Sequence, residues 1–262
     1  MLLYGLEHLR NAGIREVGVM LGPIRECVTK VIGYDSPLCL NVTYIEQPDP
    51  RGLAHAVKIS KDYIGDDSFV MYLGDNMLRE GVRGFVNAFK QGGCDCVVGV
   101  TPVKDLSRFG VVKIEEGKPP RFVEKPKEPR INLALVGVYV LNTSVFDAVD
   151  KIKPSWRNEL EITDAIQALV ESGKKVAVER VRGWWKDTGK PEDLLEANQL
   201  VLSDLEGHVE AEMSGEANVT GRVSIGAGSK LAGNTRIRWP RNNRQKLPPE
   251  TRRLRRPVHK HR

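Results

Sequence analysis

The 262-residue sequence lacks any long apolar run, and this absence excludes one class of protein at the outset. No stretch approaches the roughly 18 consecutive apolar residues that a membrane-spanning helix requires. Residues 1–20 also lack the layout of a signal peptide, because Glu7, His8 and Arg10 interrupt their apolar residues. We therefore expect a cytoplasmic protein that has no membrane partner.

Cysteine is also scarce, with four residues in the whole chain. Only Cys94 and Cys96 lie close together, and no second Cys/His pair accompanies them. A structural zinc site usually needs four ligands from two such pairs. The sequence therefore predicts reduced, partly buried thiols and no zinc site.

Basic residues do not exceed acidic ones over most of the chain, although the net charge is +6. Residues 236–262 carry eleven Lys/Arg and a single acid, Glu250, so the remaining residues have a net charge of −4. Binding of nucleic acid through this end would require a steep dependence on salt. Trp239 is its only Phe, Tyr or Trp residue. We therefore do not expect nucleic acid as a partner.

What the sequence does contain is an alternation of helical and strand patterns. Apolar runs of strand length, such as Val17–Leu21 and Phe69–Leu73, alternate with helical stretches such as Gly52–Ile64. Continuous apolar strands between helices predict a parallel sheet that is buried on both faces. Residues 111–124 read as a hairpin, and Thr163 is a candidate N-cap for a later helix. The predicted fold class is α/β, with a doubly wound sheet.

The residues after Gly207 follow a different pattern, in which apolar residues recur at intervals of six with small residues between them. The apolar positions are Met213, Val219, Ile225, Leu231 and Ile237. This spacing is typical of a left-handed parallel β-helix, of which it supplies fewer than two coils. The later residues have no periodicity and little apolar content, which predicts disorder. We expect an α/β domain over 1–206, a partial β-helix over 207–238 and a disordered basic tail over 239–262.

Two aspartates lie at the ends of predicted strands. Asp75 follows an apolar strand and Gly74. Asp187 lies between a predicted strand that ends in two tryptophans and Thr188-Gly189. Ligands of open α/β sheets bind outside the carboxyl ends of the strands. Two such carboxylates suit Mg²⁺ that also binds phosphate oxygens. Either aspartate alone could equally begin a turn, so the hypothesis requires that the two meet in space.

Polar residues near other predicted strands are candidates for binding a base and a sugar phosphate. Glu124 can accept hydrogen bonds from sugar hydroxyls, and Lys125 is a point charge suited to a phosphate. A surface ion pair is the common alternative for such a pair. The Gln47 amide can pair with the imide edge of thymine or uracil, the alternative being an ordinary loop glutamine.

Six short motifs occur in one order along the chain. They are Gln-Pro-Asp-Pro-Arg-Gly-Leu-Ala-His-Ala (47–56), Leu-Gly-Asp-Asn (73–76), Phe-Gly-Val-Val (109–112), Val-Glu-Lys-Pro (123–126), Glu-Leu-Glu-Ile-Thr-Asp (159–164) and Trp-Lys-Asp-Thr-Gly (185–189). Over about residues 1–238 the order resembles glucose-1-phosphate thymidylyltransferases, members of the sugar-1-phosphate nucleotidyltransferases, in their longer form with a C-terminal β-helix. The resemblance implies a Rossmann-like, doubly wound mixed sheet.

The resemblance also implies residue roles and a reaction. The implied roles are Mg²⁺ binding and catalysis for Asp75 and Asp187, catalysis and phosphate binding for Lys125, base binding for Gln47 and Gly52, sugar binding for Gly110, Glu124 and Gly137, and phosphate binding for Arg157. The phosphate of glucose 1-phosphate would attack the α-phosphate of dTTP, giving dTDP-glucose and pyrophosphate. UTP remains an alternative, because Gln47 would pair with either base. Relatives of this type are homo-oligomers as a rule, so we expect one here.

One departure from the family affects the expected activity. Members of the family begin with a strand and a Gly-rich phosphate loop, followed by a helix. Met1–Tyr4 match that helix, so this sequence shows no counterpart of the strand and the loop. The similar run Gly226–Lys230 keeps the six-residue register and reads as a β-helix turn. We therefore expect a sheet without its first strand and a chain that is inactive or weakly active, since each lost ~1.4 kcal/mol costs tenfold in rate. The alternative is a non-catalytic subunit of the same fold that binds sugar phosphates, nucleotides or a catalytic partner.

Overall fold

The computed structural model describes residues 1–22, 25–33, 38–116, 118–126 and 133–238, and the predicted tail lies outside them. The chain divides into two compact units, Met1–Gln199 and Leu200–Arg262. The first unit contains α1 (Leu2–Asn11), β1 (Glu16–Leu21), α2 (Arg25–Ile32), β2 (Asn41–Glu46), α3 (Leu53–Ile59), α4 (Lys61–Ile64), β3 (Phe69–Tyr72), β4 (Asn76–Leu78), α5 (Arg83–Gly92), β5 (Cys96–Pro102), β6 (Val111–Lys113), β7 (Arg121–Val123), β8 (Leu133–Leu141), α6 (Ser144–Lys151), α7 (Ile162–Glu171), β9 (Val176–Arg180), β10 (Trp185–Asp187) and most of α8 (Pro191–Asp204). The expected boundaries at 206 and 238 stay predictions.

The core of the first unit is a six-stranded mixed sheet. Its strand order is β7-β6-β8-β5-β9, and β3 also pairs with β8. All nine residues of β8 are buried. Because β5 pairs along one edge of β8, β3 and β6 share the other edge. β4 pairs with β10, and β1 with β2, in two separate two-stranded sheets.

The sheet is mixed, which confirms the sheet type implied by the family resemblance. The parallel sheet expected from the apolar runs alone is wrong for the strands around β8. The β1–β2 and β5–β9 pairs are parallel, but β8 runs antiparallel to β3, β5 and β6. A continuous apolar run reports burial on both faces of a strand and carries no information about its direction. The predicted hairpin is confirmed, since β6 and β7 pair antiparallel. The expected absence of a first strand stays a prediction.

Helices cover both faces of the sheet, as a doubly wound fold requires. Alternate residues of β8 point to opposite faces, so Leu135 and Tyr139 pack with α3, α6 and α7. Val136 and Val138 belong to the other cluster, with α1, α5 and β1. The predicted α/β class is therefore confirmed. Among the described helices, none combines the length and apolar character that crossing a membrane would take.

One predicted helix is interrupted. The pattern over Gly52–Ile64 forms α3 and α4, with Ser60 between them. The Ser60 hydroxyl donates to the Ala56 carbonyl at 2.8 Å, a local bond that competes with the helical ladder. Gly52 precedes α3 with φ of 96°, outside the helix.

The second unit stacks short strands in parallel pairs. They are β11 (His208–Val209), β12 (Glu212–Met213), β13 (Asn218–Thr220), β14 (Ser224–Ile225), β15 (Lys230–Leu231) and β16 (Arg236–Arg238). β11, β12 and β13 pair with β14, β15 and β16, so Met213 lies beside Leu231 and Val219 beside Ile237. The six-residue pattern thus predicted the stacked positions. The left-handedness of the β-helix stays a prediction.

Candidate functional site

The fold brings Asp75 and Asp187 together, although 112 positions separate them in the sequence. β3 ends at Tyr72, and β4 begins at Asn76, directly opposite Asp187 in the antiparallel β4–β10 pair. The Thr188 backbone N–H donates to the Asp75 carbonyl at 2.9 Å, and the Thr188 hydroxyl donates to the same oxygen at 2.6 Å. The condition that the sequence hypothesis required is therefore met by the backbone, while the roles of the two side chains stay predictions.

One oxygen of each aspartate carboxylate is already engaged. Asp75 Oδ1 accepts from Asn76 Nδ2 at 2.8 Å, and Asp187 Oδ1 accepts from the Gly189 N–H at 2.8 Å. Over the described ranges neither Oδ2 has a hydrogen-bond partner. Two oriented carboxylates, each with one oxygen to offer, form a donor set that fits Mg²⁺, which prefers one or two carboxylates together with phosphate and water oxygens.

Asn76 is a site residue that the sequence reasoning missed. It is 5% exposed, and its Oδ1 accepts from the Gly137 N–H at 3.0 Å and from Trp185 Nε1 at 2.7 Å. Its amide nitrogen donates to Asp75, so this side chain connects β4, β8 and β10. A Cβ at Gly137 would lie 2.7 Å from Asn76 Nδ2. Gly137, expected in the sugar pocket, therefore makes room for Asn76. The sequence feature that could have identified Asn76 is its position directly after Gly74-Asp75.

Glu124, Lys125 and Arg157 also come together. Glu124 Oε1 lies 3.8 Å from Lys125 Nζ and 3.9 Å from Arg157 Nη1. The Thr163 hydroxyl donates to Glu124 Oε2 at 2.9 Å. Burial, the largest influence, raises the pKa of Glu124, while the Thr163 hydrogen bond and the two cations oppose the increase. The sequence therefore identified a real cluster, in which Glu124 is largely withdrawn from solvent.

Arg157 is held by two acidic residues that the sequence reasoning left without a role. Its Nη2 lies 2.9 Å from Glu159 Oε1, and its Nη1 lies 3.5 Å from Glu161 Oε1. The Ser155 hydroxyl accepts from the Arg157 N–H at 3.1 Å and donates to Glu161 Oε1 at 2.9 Å. Arg157 therefore has carboxylate partners in place, and any phosphate it bound would compete with them. The spacing of the two acids after the arginine in Arg-Asn-Glu-Leu-Glu (157–161) could have predicted these ion pairs.

Thr163 does not cap α7. Glu161 occupies the N-cap position, and the Thr163 hydroxyl, inside the first turn, reaches Glu124 instead. Gly110 lies against both side chains, because a Cβ there would be 2.6 Å from Thr163 Cγ2 and 3.0 Å from Glu124 Oε2. The prediction of Thr163 as a cap was wrong because a tertiary partner outcompeted the local one. Gly110 and Glu124 adjoin as expected for one pocket.

The segment after β2 positions Gln47 and Gly52. Gln47 Nε2 lies 3.1 Å from His55 Nδ1 and 3.4 Å from the Gly52 carbonyl. Gly52 has φ of 96°, and a Cβ there would lie 2.5 Å from the Leu160 carbonyl oxygen. Leu160 donates its N–H to Arg51 at 2.8 Å and accepts from Ala54 at 3.0 Å. These two backbone bonds tie the candidate base-binding segment to the loop that carries Arg157.

The aspartate pair and the candidate sugar pocket adjoin through aromatic side chains. Phe109, which precedes Gly110, packs edge to face against Trp185 with ring centroids 5.4 Å apart. Trp185 lies two residues before Asp187 and donates to Asn76. The sequence-predicted residues therefore form neighbouring groups around one edge of the first unit.

With this geometry in place, comparison with known proteins identifies the family. A family model described as nucleotidyl transferase matches residues 1–204. The chain belongs to the nucleotidyl transferase family. The match includes all of the candidate site residues and ends at Asp204, the last residue of α8.

Individual nucleotidyl transferases are similar over most of this chain. The low-salt glycan biosynthesis nucleotidyltransferase Agl11 of Haloferax volcanii is 48% identical over 86% of this chain and 64% of that protein. The glucose-1-phosphate thymidylyltransferase of Streptomyces antibioticus is 43% identical over 92% of this chain and 68% of that protein. The chain thus spans about two thirds of the length of these curated relatives.

A solved structure supports the fold assignment. The crystal structure of a Bacillus anthracis protein, provisionally assigned as a glucose-1-phosphate thymidylyltransferase and bound to a sucrose, superposes with a TM-score of 0.71. It is 30% identical, and the aligned part covers 79% of this chain and 84% of that chain. The chain therefore shares the overall fold of this Bacillus anthracis protein.

Proposed function

We propose that this chain is a sugar-1-phosphate nucleotidyltransferase that transfers dTMP from dTTP to glucose 1-phosphate, giving dTDP-glucose and pyrophosphate. The observation that carries the proposal is the juxtaposition of Asp75 and Asp187, whose backbones are joined through Thr188 at the end of β3. Membership of the nucleotidyl transferase family supports the reaction class. The similarity to a thymidylyltransferase over 92% of this chain supports the choice of dTTP.

Mg²⁺ is the proposed cofactor, held by the free oxygens of Asp75 and Asp187. When bound, it would neutralise charge on the phosphates of the nucleotide. Asn76 and the Gly189 N–H keep each carboxylate in one orientation by binding its other oxygen. Fixed ligands lower the cost of organising the site at the moment of reaction.

The residues around Glu124 would bind the sugar phosphate. Glu124 would present its carboxylate to the sugar hydroxyls beside Gly110, whose missing side chain lets Glu124 and Thr163 pack closely against the backbone. Lys125 and Arg157 supply positive charge beside it for the phosphate. The attacking phosphate oxygen is already anionic, so the proposed reaction needs no general base. Alignment of the two substrates and charge neutralisation would provide most of the rate acceleration.

Gln47 and Gly52 are the proposed base-binding residues, and UTP remains the alternative nucleotide because the Gln47 amide can pair with uracil as well as thymine. Three further expectations stay predictions: absent or weak activity of this chain, a homo-oligomeric assembly and a cytoplasmic location.

The test separates binding from turnover. The purified chain is titrated with dTTP, UTP and glucose 1-phosphate in the presence of Mg²⁺ by calorimetry, and pyrophosphate release is assayed in parallel. We expect dTTP and glucose 1-phosphate to bind. Lys125→Met should weaken binding of the sugar phosphate by about tenfold or more, since it removes a charge beside the phosphate. The matched control is Lys118→Met, which removes an exposed lysine paired with Glu115 and should leave binding unchanged.

Binding of neither nucleotide would contradict the proposal. Pyrophosphate release that requires both substrates, however slow, would exclude the non-catalytic subunit of the same fold.

A further inference from the structure

The Gln47 side chain has both of its amide hydrogens directed at protein acceptors. Its Nε2 lies 3.1 Å from His55 Nδ1, on the first turn of α3, and 3.4 Å from the Gly52 carbonyl oxygen. A side-chain amide has two donor hydrogens on nitrogen and acceptor lone pairs on oxygen. With both hydrogens committed within the protein, Gln47 has only its oxygen left for a ligand.

The Gly52 carbonyl determines which end of the amide faces His55. A carbonyl oxygen can only accept, so turning the amide over would bring two acceptor oxygens together at about this separation. The nitrogen must therefore lie on the side of Gly52 and His55. It follows that His55 Nδ1 accepts a hydrogen bond and that its ring proton resides on Nε2.

Gly52 can play this part because hydrogen bonds on either side of it position its backbone. Its φ of 96° is in the region that favours glycine, and a Cβ would lie 2.5 Å from the Leu160 carbonyl oxygen. Leu160 is itself bonded to Arg51 and Ala54, on either side of Gly52. The carbonyl that fixes the Gln47 amide is thus built into the loop.

We propose that His55 is a specificity-determining residue of the nucleotide site, holding Gln47 so that only its amide oxygen faces the base. This rests on the proposed function of Gln47 as a base-binding residue. An outward acceptor selects a pyrimidine that carries a hydrogen on N3, as thymine and uracil do. Cytosine presents an acceptor at N3, which would face the Gln47 oxygen unfavourably. The preference for thymine or uracil is therefore set by two groups behind Gln47, the Gly52 carbonyl and the ring of His55, and His55 makes the shorter of the two contacts.

The experiment compares dUTP with dCTP, which differ only at positions 3 and 4 of the base. Both are titrated by calorimetry into the full chain with Mg²⁺, using the unsubstituted protein, His55→Phe and His55→Asn. Phe keeps a planar ring but has no acceptor, whereas the Asn side chain can place an amide oxygen near the position of Nδ1. Thermal unfolding confirms that both variants fold.

The unsubstituted chain should bind dUTP about tenfold more tightly than dCTP, the ratio expected for one favourable against one unfavourable polar contact. In His55→Phe the amide loses its 3.1 Å partner and keeps only the longer 3.4 Å contact with the Gly52 carbonyl, so its orientation is held less firmly and the ratio should fall to about threefold or less. His55→Asn should keep most of the preference.

An unchanged ratio in His55→Phe, including equal weakening of both nucleotides, would overturn the inference and leave the proposed function intact. Failure of the unsubstituted chain to bind either nucleotide would overturn both.

Discussion

At the scale of single residues, Asn76 supports most of the candidate magnesium site. Its side chain accepts from the Gly137 N–H and from Trp185, and it donates to Asp75. Asn76→Ala leaves the buried Gly137 N–H without a partner, at a cost of about 1–3 kcal/mol, and also removes the acceptor of the partly buried Trp185 N–H. We expect a clear loss in the free energy of unfolding, measured by urea titration. The control is Asn87→Ala, which changes an exposed residue of α5 and should shift it by no more than about 0.5 kcal/mol. Equal stability of the two variants would contradict the role given to Asn76.

A second residue-scale prediction concerns Glu124. Burial raises its pKa above the ordinary value of 4.5. The folded state therefore holds the proton more tightly than the unfolded state does. The stability that this group contributes is present below pH 4.5 and is lost as the pH rises through the raised folded pKa.

Glu124→Gln removes that loss, because the amide cannot ionise. The variant should be more stable than the parent at pH 7, and the difference should shrink as the pH falls toward 4. Urea midpoints measured between pH 4 and 8 test this. A variant that is less stable than its parent at pH 7, with a gap that widens at higher pH, would show that ionised Glu124 is favoured in the fold. The same variant should bind glucose 1-phosphate more weakly.

At the scale of secondary-structure elements, Asp95 connects the ends of three strands. It precedes β5, and its carboxylate accepts from Asn142, just after β8, at 3.0 Å and from the Lys175 N–H, just before β9, at 2.9 Å. The Asn142 hydrogen bond is the largest factor that lowers its pKa. Its contribution is therefore present above the ordinary value and is lost as the pH falls through the lowered one.

Asp95→Ala should destabilise the chain by about 1.5–3 kcal/mol at pH 7, the range for hydrogen bonds to a charged group. Differential scanning calorimetry measures the effect. The cost should shrink in strong acid, where the parent carboxyl is protonated. A cost that does not depend on pH would mean that the charge of Asp95 is not what holds the strand ends.

Gly52 and Gly13 form a matched pair for testing the contact between the segment before α3 and Leu160. Both have a positive φ, 96° at Gly52 and 90° at Gly13, but a Cβ at Gly13 would meet nothing within 4 Å. Gly13→Ala should therefore cost only the backbone strain of about 1–2 kcal/mol. Gly52→Ala adds a clash with the Leu160 carbonyl and should cost at least about 1 kcal/mol more. Equal costs in denaturant titrations would mean that the close approach of Gly52 to Leu160 has no energetic effect.

Elements were predictable where one physical signal dominated. Apolar runs located β1 and β3, and the six-residue spacing located the stacked positions of Met213 and Leu231. The direction of β8 was not predictable, because burial on both faces is the same for either direction. The partner of the Thr163 hydroxyl, Glu124, lies 39 positions away in the sequence. Such choices are decided by partners that the local sequence does not specify.

At the scale of the whole molecule, the motifs predicted which residues would gather, and the contacts between them remained unknown. Asp75 and Asp187 were identified as strand ends, but the Thr188 bond that joins them arises only from the β4–β10 pairing. Arg157 was identified as a phosphate ligand, whereas its engagement by Glu159 and Glu161 depends on the shape of one loop. The order of the motifs therefore predicted which residues lie together, and tertiary packing determined the hydrogen bonds and ion pairs that hold each side chain.

The central claim is that Asp75 and Asp187 jointly hold a divalent cation together with a nucleotide. Proton relaxation enhancement by Mn²⁺, titrated into the full chain in the presence of dTTP, tests it most directly. We predict a bound Mn²⁺–dTTP complex whose affinity falls about tenfold or more in Asp75→Asn and in Asp187→Asn. A chain carrying both substitutions that bound the complex as tightly as the parent would contradict the account.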